Sequence, residues 1–180
     1  MTIYYTRKGD KGETSAMGGK KFPKDDVLMH AVGDVDELNS QIGVSLFYVR
    51  EDDVREVLKM IQNDLFSIGA ILASSGRANL TKAKITKKSV QMLEKAIDSM
   101  DAKLPQLRKF VLPAGSEESS HLHLARSVAR RAERSVFAAS KKHKAPQEVL
   151  SYLNRLSSYL FTAALYLNFR NGVEESNPMY

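Results

Sequence analysis

An apolar repeat with helical spacing, in the second quarter of the chain, constrains the fold more than any other feature of the sequence. Apolar residues recur there at steps of three and four, which places them on one face of an α-helix; they are Val54, Val57, Leu58, Ile61, Leu65, Ile68 and Leu72. A helix with a single apolar face is stable when that face packs against other elements. The repeat therefore predicts a helix that belongs to a packed bundle.

Four further segments show the same spacing and carry residues that favour helix ends. The first helix is predicted to begin near Asp25–Asp26, because carboxylates suit a helix N-terminus. Thr86 and Ser116 are candidate N-caps of the third and fourth helices. Pro146 suits the first turn of a fifth helix, which should end near residues 171–172.

These helices predict an all-α fold in one domain, residues 1–180, which is an ordinary size for a single core. We expect an arm over residues 1–24, a five-helix bundle over residues 25–171 and a frayed tail over residues 172–180. No apolar run approaches the ~20 residues that a membrane-spanning helix needs, so we expect a cytoplasmic protein without a membrane partner. The absence of cysteine excludes disulfides and thiolate metal sites.

The arm has a composition that resists regular secondary structure. Its stretch TRKGDKGETSAMGGKKFPKDD contains four glycines, five lysines and three hydroxyl residues. Backbone N–H groups, flexible cations and short hydroxyls can together surround a polyphosphate, although a floppy basic tail has the same composition. The net charge of +6 favours an anionic partner in either case.

A polar stripe borders the apolar face of the fourth helix. Arg126, Arg130 and Glu133 follow one another at i, i+4 and i+7, whereas Arg131 is expected to point away into solvent. An ion-pair ladder on a wet surface, worth ~0.5 kcal/mol per pair, would explain the stripe. Contacts from the arginine forks to phosphates or to a partner carboxylate would explain it as well.

Other helices also bring polar residues to the margin of the core. Asp36 and Asn39 do so in the first helix and Asn154 in the fifth. A buried asparagine commonly satisfies a neighbouring backbone group, but polar groups from three helices together favour a binding site. His121 and His123 are predicted to lie on the helix surface or in a pocket rather than to bind a metal.

Six motifs in order resemble those of the PduO-type ATP:cob(I)alamin (corrinoid) adenosyltransferases over nearly the whole chain. They are TRKGDKGETS, KDD, GDVDELNSQIG, FVLPAGS, HLHLARSVARRAER and YLNRLSSYLF. The resemblance implies a homotrimeric transferase with active sites between subunits. It implies transfer of the 5′-deoxyadenosyl group of ATP to Co(I) of cobalamin, which forms adenosylcobalamin and triphosphate.

The resemblance also assigns roles to individual residues. It implies that the Gly/Lys-rich arm is a nucleotide-binding loop that wraps the triphosphate through Thr6, Arg7, Lys8, Gly9, Thr14, Ser15 and Lys24. It implies ATP contacts from the adjoining subunit by Arg130, Arg131, Glu133, Arg134 and Asn154. Arg126 is implied to pair across the interface with Asp36. Mg²⁺ is expected to arrive with ATP, with Glu133 as a candidate contact.

Phe110 matches the family phenylalanine that packs below the corrin and excludes the lower axial ligand. Without that ligand, the cobalt orbital that accepts an electron is lower in energy and Co(II) is easier to reduce. Judged by composition alone, Phe110 would be a plain core aromatic. A reductase and a B12-dependent acceptor enzyme are candidate partners, and the residues leave the electron donor and the preferred corrinoid open.

Two other functions fit parts of the sequence. A helical nucleic-acid-binding module would use the basic arm, and its affinity would fall steeply with salt. A non-catalytic nucleotide sensor would use the same phosphate-binding groups without turnover. The ordered motifs favour the transferase, and we expect no nucleic-acid partner.

Overall fold

The computed structural model describes residues 4–5, 7–75 and 78–179 and confirms a bundle of five α-helices. The helices are α1 (Val27–Tyr48), α2 (Asp52–Ala73), α3 (Lys87–Asp101), α4 (Glu117–Ser140) and α5 (Gln147–Arg170). A short 3₁₀ turn, Ala78–Leu80, lies between α2 and α3. Two three-residue strands, β1 (Glu13–Ser15) and β2 (Lys21–Pro23), precede the bundle.

The helix N-termini form where the capping residues predict. Asp26 caps α1, since its Oδ1 accepts a hydrogen bond from the backbone N–H of Leu28 at 2.8 Å. Thr86 forms a reciprocal capping box with Ser89 at the start of α3. Ser116 caps α4, whereas Pro146 immediately precedes α5 instead of lying within its first turn.

Helix α4 packs between α1 and α5 and forms the centre of the bundle, with α2 against α1 and α3 against α5. The apolar face predicted for α2 is buried, apart from the half-buried Val57. Tyr152 and Tyr159 of α5 are the largest fully buried side chains of the core. No helix within the described ranges is long and apolar enough to cross a membrane.

The arm contains regular structure, which the sequence analysis did not predict. Strands β1 and β2 pair antiparallel with Thr14 opposite Phe22. The Phe22 side chain is buried in the core, so it fixes the hairpin to the bundle. The backbone N–H of Met17 also donates to the carbonyl of Ala73 at the end of α2. Burial of one aromatic ring and a few hydrogen bonds therefore order a segment whose composition resists structure.

The tail does not fray over the residues that follow α5. The backbone N–H of Leu112 donates to the carbonyl of Ser176 at 2.8 Å. The side-chain amide of Asn177 donates to the carbonyl of Phe110, also at 2.8 Å. These bonds hold the end of the chain against the segment between α3 and α4.

Candidate active site

The hairpin brings three predicted phosphate-binding residues together. The Lys24 side chain lies next to Gly9, since a β-carbon placed on Gly9 would be 3.3 Å from the Lys24 Nζ. The backbone N–H of Lys24 donates to the carbonyl of Gly12 at 2.8 Å. Thr14 lies on β1 beside them and is half-buried. The Lys24 ammonium group is in no ion pair between described residues, and it lies close to glycine backbone at the hairpin.

Of the other predicted arm residues, Arg7, Lys8 and Ser15 are exposed, and Thr6 lies outside the described residues. Arg7 has a positive φ of 58°. Its guanidinium lies 5.6 Å from the centre of the Tyr5 ring. Their roles in phosphate binding stay predictions.

A cavity of about 650 Å³ opens between the arm, α1 and α2. Thr14 and Lys24 line it from the arm, Asp36 and Asn39 from α1 and Phe66 from α2. Small residues leave this space open on the two helices: Gly33, Gly69, Ala70 and Ala73. This cavity was not predicted from the sequence, although glycines on two neighbouring helices are a detectable signal of space between them.

Two acceptors on α1 are without partners at this cavity. The side-chain Oδ1 of Asn39 is buried and accepts no hydrogen bond within the described part of the chain. Asp36 is exposed and takes part in none of the ion pairs found among the described residues. An unsatisfied buried oxygen is costly unless a ligand or a water supplies a donor.

A second polar cluster lies on α4 and α5. The side-chain amide of Asn154 donates to Oε1 of Glu133 at 2.8 Å, so the structure joins two residues predicted to contact the nucleotide. No ion pair between described residues includes Arg126 or Arg130. The intrahelical ion-pair ladder is therefore not formed among these residues, and Glu133 bonds Asn154 instead.

Arg126 is half-buried against α5, with its guanidinium 5.2 Å from the centre of the Phe161 ring. Burial lowers the pKa of Arg126, and the nearby positive charge of Arg130 lowers it further. Arg130 and Arg134 are exposed. None of these three arginines takes part in an ion pair between described residues, so the cluster offers cationic groups to an anion.

Arg131 is exposed, as predicted, but its guanidinium is paired with carboxylates of α1. Its Nε lies 3.2 Å from Oδ1 of Asp34, and its terminal nitrogen pairs with Glu37. The hydrogen bond that Arg131 donates to Glu37 raises the pKa of Arg131. The helical wheel could not predict these pairs, because α1 packs along α4 and presents two carboxylates to this side. The Arg131 contact with ATP stays a prediction, and these pairs compete with it.

His123 is a buried residue of α4 whose two ring nitrogens have no hydrogen-bond partner among the described residues. Burial lowers its pKa, and the charge of Arg126 contributes. His121 instead stacks on Tyr48 with ring centres 4.2 Å apart. Within the described ranges, no group of three or more histidine, aspartate or glutamate residues is placed to hold a metal ion.

Phe110 is exposed, so its interpretation as a core aromatic is wrong. Its side chain is 79% accessible, in an irregular segment between α3 and α4. A cavity of about 670 Å³ lies behind this segment, lined by residues that include Leu107, Phe169 and Val173. An aromatic ring held in solvent next to a cavity is available to a large flat ligand.

One chain does not bring all predicted contacts together. Lys24 and Asp36 line the cavity beside α1 and α2, and no residue of α4 or α5 lines it. Glu133 and Asn154 meet on the face formed by α4 and α5. Asp36 and Arg126 do not pair within the chain. The predicted nucleotide contacts are thus divided between two faces of the chain.

Comparison with known proteins identifies relatives across almost the whole chain. A family model described as cobalamin adenosyltransferase matches residues 4–167. A corrinoid adenosyltransferase of Bacillus subtilis is 43% identical over 173 residues, which cover 94% of this chain and 88% of that protein. The corrinoid adenosyltransferase MMAB of Homo sapiens is 41% identical over 177 residues, covering 95% and 71% respectively.

Solved structures agree with the sequence comparison. A phenylalanine-to-alanine variant of a PduO-type ATP:corrinoid adenosyltransferase from Lactobacillus reuteri, complexed with cobalamin and ATP, matches with a TM-score of 0.91 and 34% identity. The match covers 98% of this chain and 99% of that one. An arginine-to-lysine variant complexed with ATP has a TM-score of 0.90 and 34% identity. The resemblance inferred from the sequence is confirmed, and the chain belongs to the cobalamin adenosyltransferase family.

Proposed function

We propose that this protein is an ATP:corrinoid adenosyltransferase. It transfers the 5′-deoxyadenosyl group of ATP to cobalamin, forming adenosylcobalamin. Co(I) of the corrinoid substrate attacks C5′ with its electron pair, the cobalt–carbon bond forms, and the C5′–O bond breaks. The triphosphate leaves with the electrons of that bond. Because Co(I) is itself a strong nucleophile, the protein needs to position the reactants and stabilise charge on the leaving group.

The division of the contacts between two faces of one chain carries the proposal. The arm, with Lys24 and Gly9, offers cations and backbone N–H groups to a triphosphate beside the α1–α2 cavity. The α4–α5 face offers Arg130, Glu133 and Asn154. Together they surround a nucleotide only if the α4–α5 face of one subunit meets the arm of another. A closed ring of identical subunits, such as the trimer implied by the resemblance, repeats this contact at every interface.

Exposed apolar side chains on α1 and α4 support such an interface. Val44 and Phe47 on α1, and Leu124 and Phe137 on α4, are large apolar side chains exposed in the single chain. Large apolar side chains exposed on two helices that pack together are candidates for contacts between proteins. Asp36 is free to pair with Arg126 of a second copy in this arrangement.

At the arm, Lys24, Thr14 and the backbone near Gly9 hold the triphosphate, with Thr6, Arg7, Lys8 and Ser15 as further contacts. The unsatisfied Oδ1 of Asn39 can accept from the exocyclic amine of adenine. Mg²⁺ usually binds through phosphate oxygens and one or two carboxylates, so we expect it to arrive with ATP. The Glu133 carboxylate, already bonded to Asn154, is a candidate contact.

In the segment that precedes the N-terminus of α4, the exposed ring of Phe110 packs below the corrin and excludes the lower axial ligand. A reductase then supplies the electron for Co(II), and a B12-dependent enzyme accepts the product. The absence of cysteine is compatible with a reducing compartment, and we place the reaction in the cytoplasm.

The direct test incubates the protein with ATP, Mg²⁺ and chemically reduced cobalamin. We expect the spectrum of a light-sensitive cobalt–carbon product, with one triphosphate released for each product formed. The Lys24→Ala variant should lose at least about tenfold in kcat/KM, and Lys95→Ala on the outer face of α3 should not, although both remove one charge.

Two outcomes would favour the rival functions. ATP binding without product would support the nucleotide sensor. Binding of nucleic acid with an affinity that falls steeply with salt, together with no product, would support the nucleic-acid module.

A further inference from the structure

The segment that carries Phe110 owes its position to a few specific contacts. Residues 102–116 between α3 and α4 form no helix or strand, and Phe110 itself is largely exposed. A loop with an exposed side chain gains little order from its own packing. The groups that bond its backbone therefore decide where the Phe110 ring lies.

Asn168, in the last turn of α5, is the buried residue that bonds this segment. Its side chain is fully buried, yet it bonds outward in two directions. Its Oδ1 accepts from the backbone N–H of Ser116 at 2.9 Å. Its Nδ2 donates to the carbonyl of Ala114 at 3.1 Å and to Oε1 of Glu175 at 3.0 Å. One amide thus joins the end of the Phe110 segment to the tail.

Gly115 makes this close approach possible. A β-carbon at Gly115 would lie only 2.2 Å from Oδ1 of Asn168, and the residue has a φ of +125°. Side chains other than glycine rarely adopt that conformation. The turn LPAGS is therefore shaped to fit around the asparagine.

The tail bonds the same segment at positions closer to Phe110. Ser176 accepts through its carbonyl from the N–H of Leu112, and Asn177 donates from its side chain to the carbonyl of Phe110, both at 2.8 Å. Glu175 connects these tail residues to Asn168. We call Asn168, Glu175, Ser176 and Asn177 the clamp. The clamp bonds the backbone at Phe110 and at three positions that follow it, Leu112, Ala114 and Ser116.

We propose that the clamp positions the Phe110 ring for its action on the corrinoid, and that Asn168 and Asn177 are positioning residues of the reaction. This inference rests on the proposed function. A ring that excludes an axial ligand must stay at a fixed distance from the cobalt, whereas transfer from preformed Co(I) tolerates more movement. Supporting residues of this kind typically contribute 10- to 100-fold to metal chemistry, by analogy with groups that orient metal ligands.

Hydrogen exchange tests the clamp without reference to activity. In the full-length protein, Asn177→Ala and Asn168→Asp should each speed exchange of the backbone amides of Leu112 and Ser116 by about tenfold or more. Asn171→Ala is the matched control, because Asn171 is exposed at the same end of α5 and, among the described residues, its side chain bonds Glu118 and no part of the clamp. Unchanged exchange in both clamp variants would overturn the proposal.

The double variant Asn168→Asp/Glu175→Gln adds a rescue. The single Asn168→Asp change sets a carboxylate against the Glu175 carboxylate, whereas the double variant again places a donor opposite an acceptor. Exchange at Ser116 should return part of the way to the wild-type rate. If Asn168→Asp prevents folding, the exposed Asn177→Ala variant still decides the question.

Kinetics then test the function of the clamp. Asn177→Ala should slow product formation that starts from Co(II) by about tenfold, with the rate from preformed Co(I) and the KM for ATP within about twofold of wild type. The spectrum of bound Co(II) should show less of the form without a lower axial ligand. Equal loss from both cobalt states would overturn the proposed role. If the wild-type protein forms no product at all, the proposed function fails, while the exchange result still reports on the clamp.

Discussion

Arg130→Ala should reduce kcat/KM for adenosyl transfer by at least about a hundredfold while the fold is retained, because a positively charged donor to the leaving group is lost. The Arg130 side chain is exposed, and no ion pair among the described residues includes it. Its removal therefore breaks no ion pair between the described residues of the single chain. The melting temperature should stay within about 2 °C of wild type, as expected for surface substitutions.

Two further variants show whether the planar guanidinium of Arg130 is needed or only its positive charge. Arg130→Lys keeps the charge but loses the planar fork, so an intermediate rate is expected. Lys95→Ala removes one charge from the exposed surface of α3 and should keep nearly full activity. Near-normal kcat/KM in Arg130→Ala would contradict the assignment of the α4 stripe to the leaving group.

Phe110→Ala should slow product formation from Co(II) by about a hundredfold, or about 2.7 kcal/mol of barrier, and the reaction from Co(I) by far less. The asymmetry follows from the role of the ring, because excluding the lower axial ligand helps electron uptake and not the attack on C5′. The side chain is 79% exposed, so the variant should fold normally.

The measurement compares the two starting states under the same conditions. Co(II) is reduced in situ by a mild donor in one reaction, and Co(I) is formed chemically before mixing in the other. Phe110→Leu keeps an apolar side chain and should lie between wild type and alanine. An equal effect of Phe110→Ala on both reactions would refute the assigned role.

The helical part of the fold could be predicted because its determinants are local. The apolar face of α2 repeats within one helix, and the N-caps Asp26, Thr86 and Ser116 act within one turn. These patterns depend on neighbours in sequence, so one sequence is sufficient to find them.

The hairpin and the clamp could not be predicted in this way. The three-residue strands of the arm are held by burial of Phe22 and by the bond from Met17 to Ala73. The tail is held by the bond from Asn177 to Phe110, 67 residues apart in the chain. Contacts between distant segments leave no periodic trace in the sequence.

In the candidate site, too, local patterns could be predicted from the sequence and contacts between distant segments could not. Its residue types and motifs were visible in the sequence, and the structure brings Glu133 to Asn154 and Lys24 to Gly9. The exposure of Arg131 was predicted correctly but its ion pairs were not, because a helical wheel gives the direction of a side chain and not the charge on the next helix. Placing Arg130 opposite the arm requires a second copy of the chain, which no single-chain pattern contains.

Complementation between two impaired variants tests the central claim, that each active site is shared by two subunits. Lys24→Ala impairs the arm and Arg130→Ala impairs the α4 face, so each variant alone should keep at most about a tenth of wild-type kcat/KM. Coexpressed in equal amounts, they should assemble into mixed oligomers in which about a quarter of the sites have both halves intact. Arg130→Ala with Asn154→Ala is the control, because both changes affect the same half and no site is repaired.

The account predicts recovery of about one quarter of wild-type kcat in the purified Lys24→Ala/Arg130→Ala mixed oligomer, and none in the control. Absence of recovery in a verified mixed oligomer, or full activity in a wild-type monomer, would contradict it.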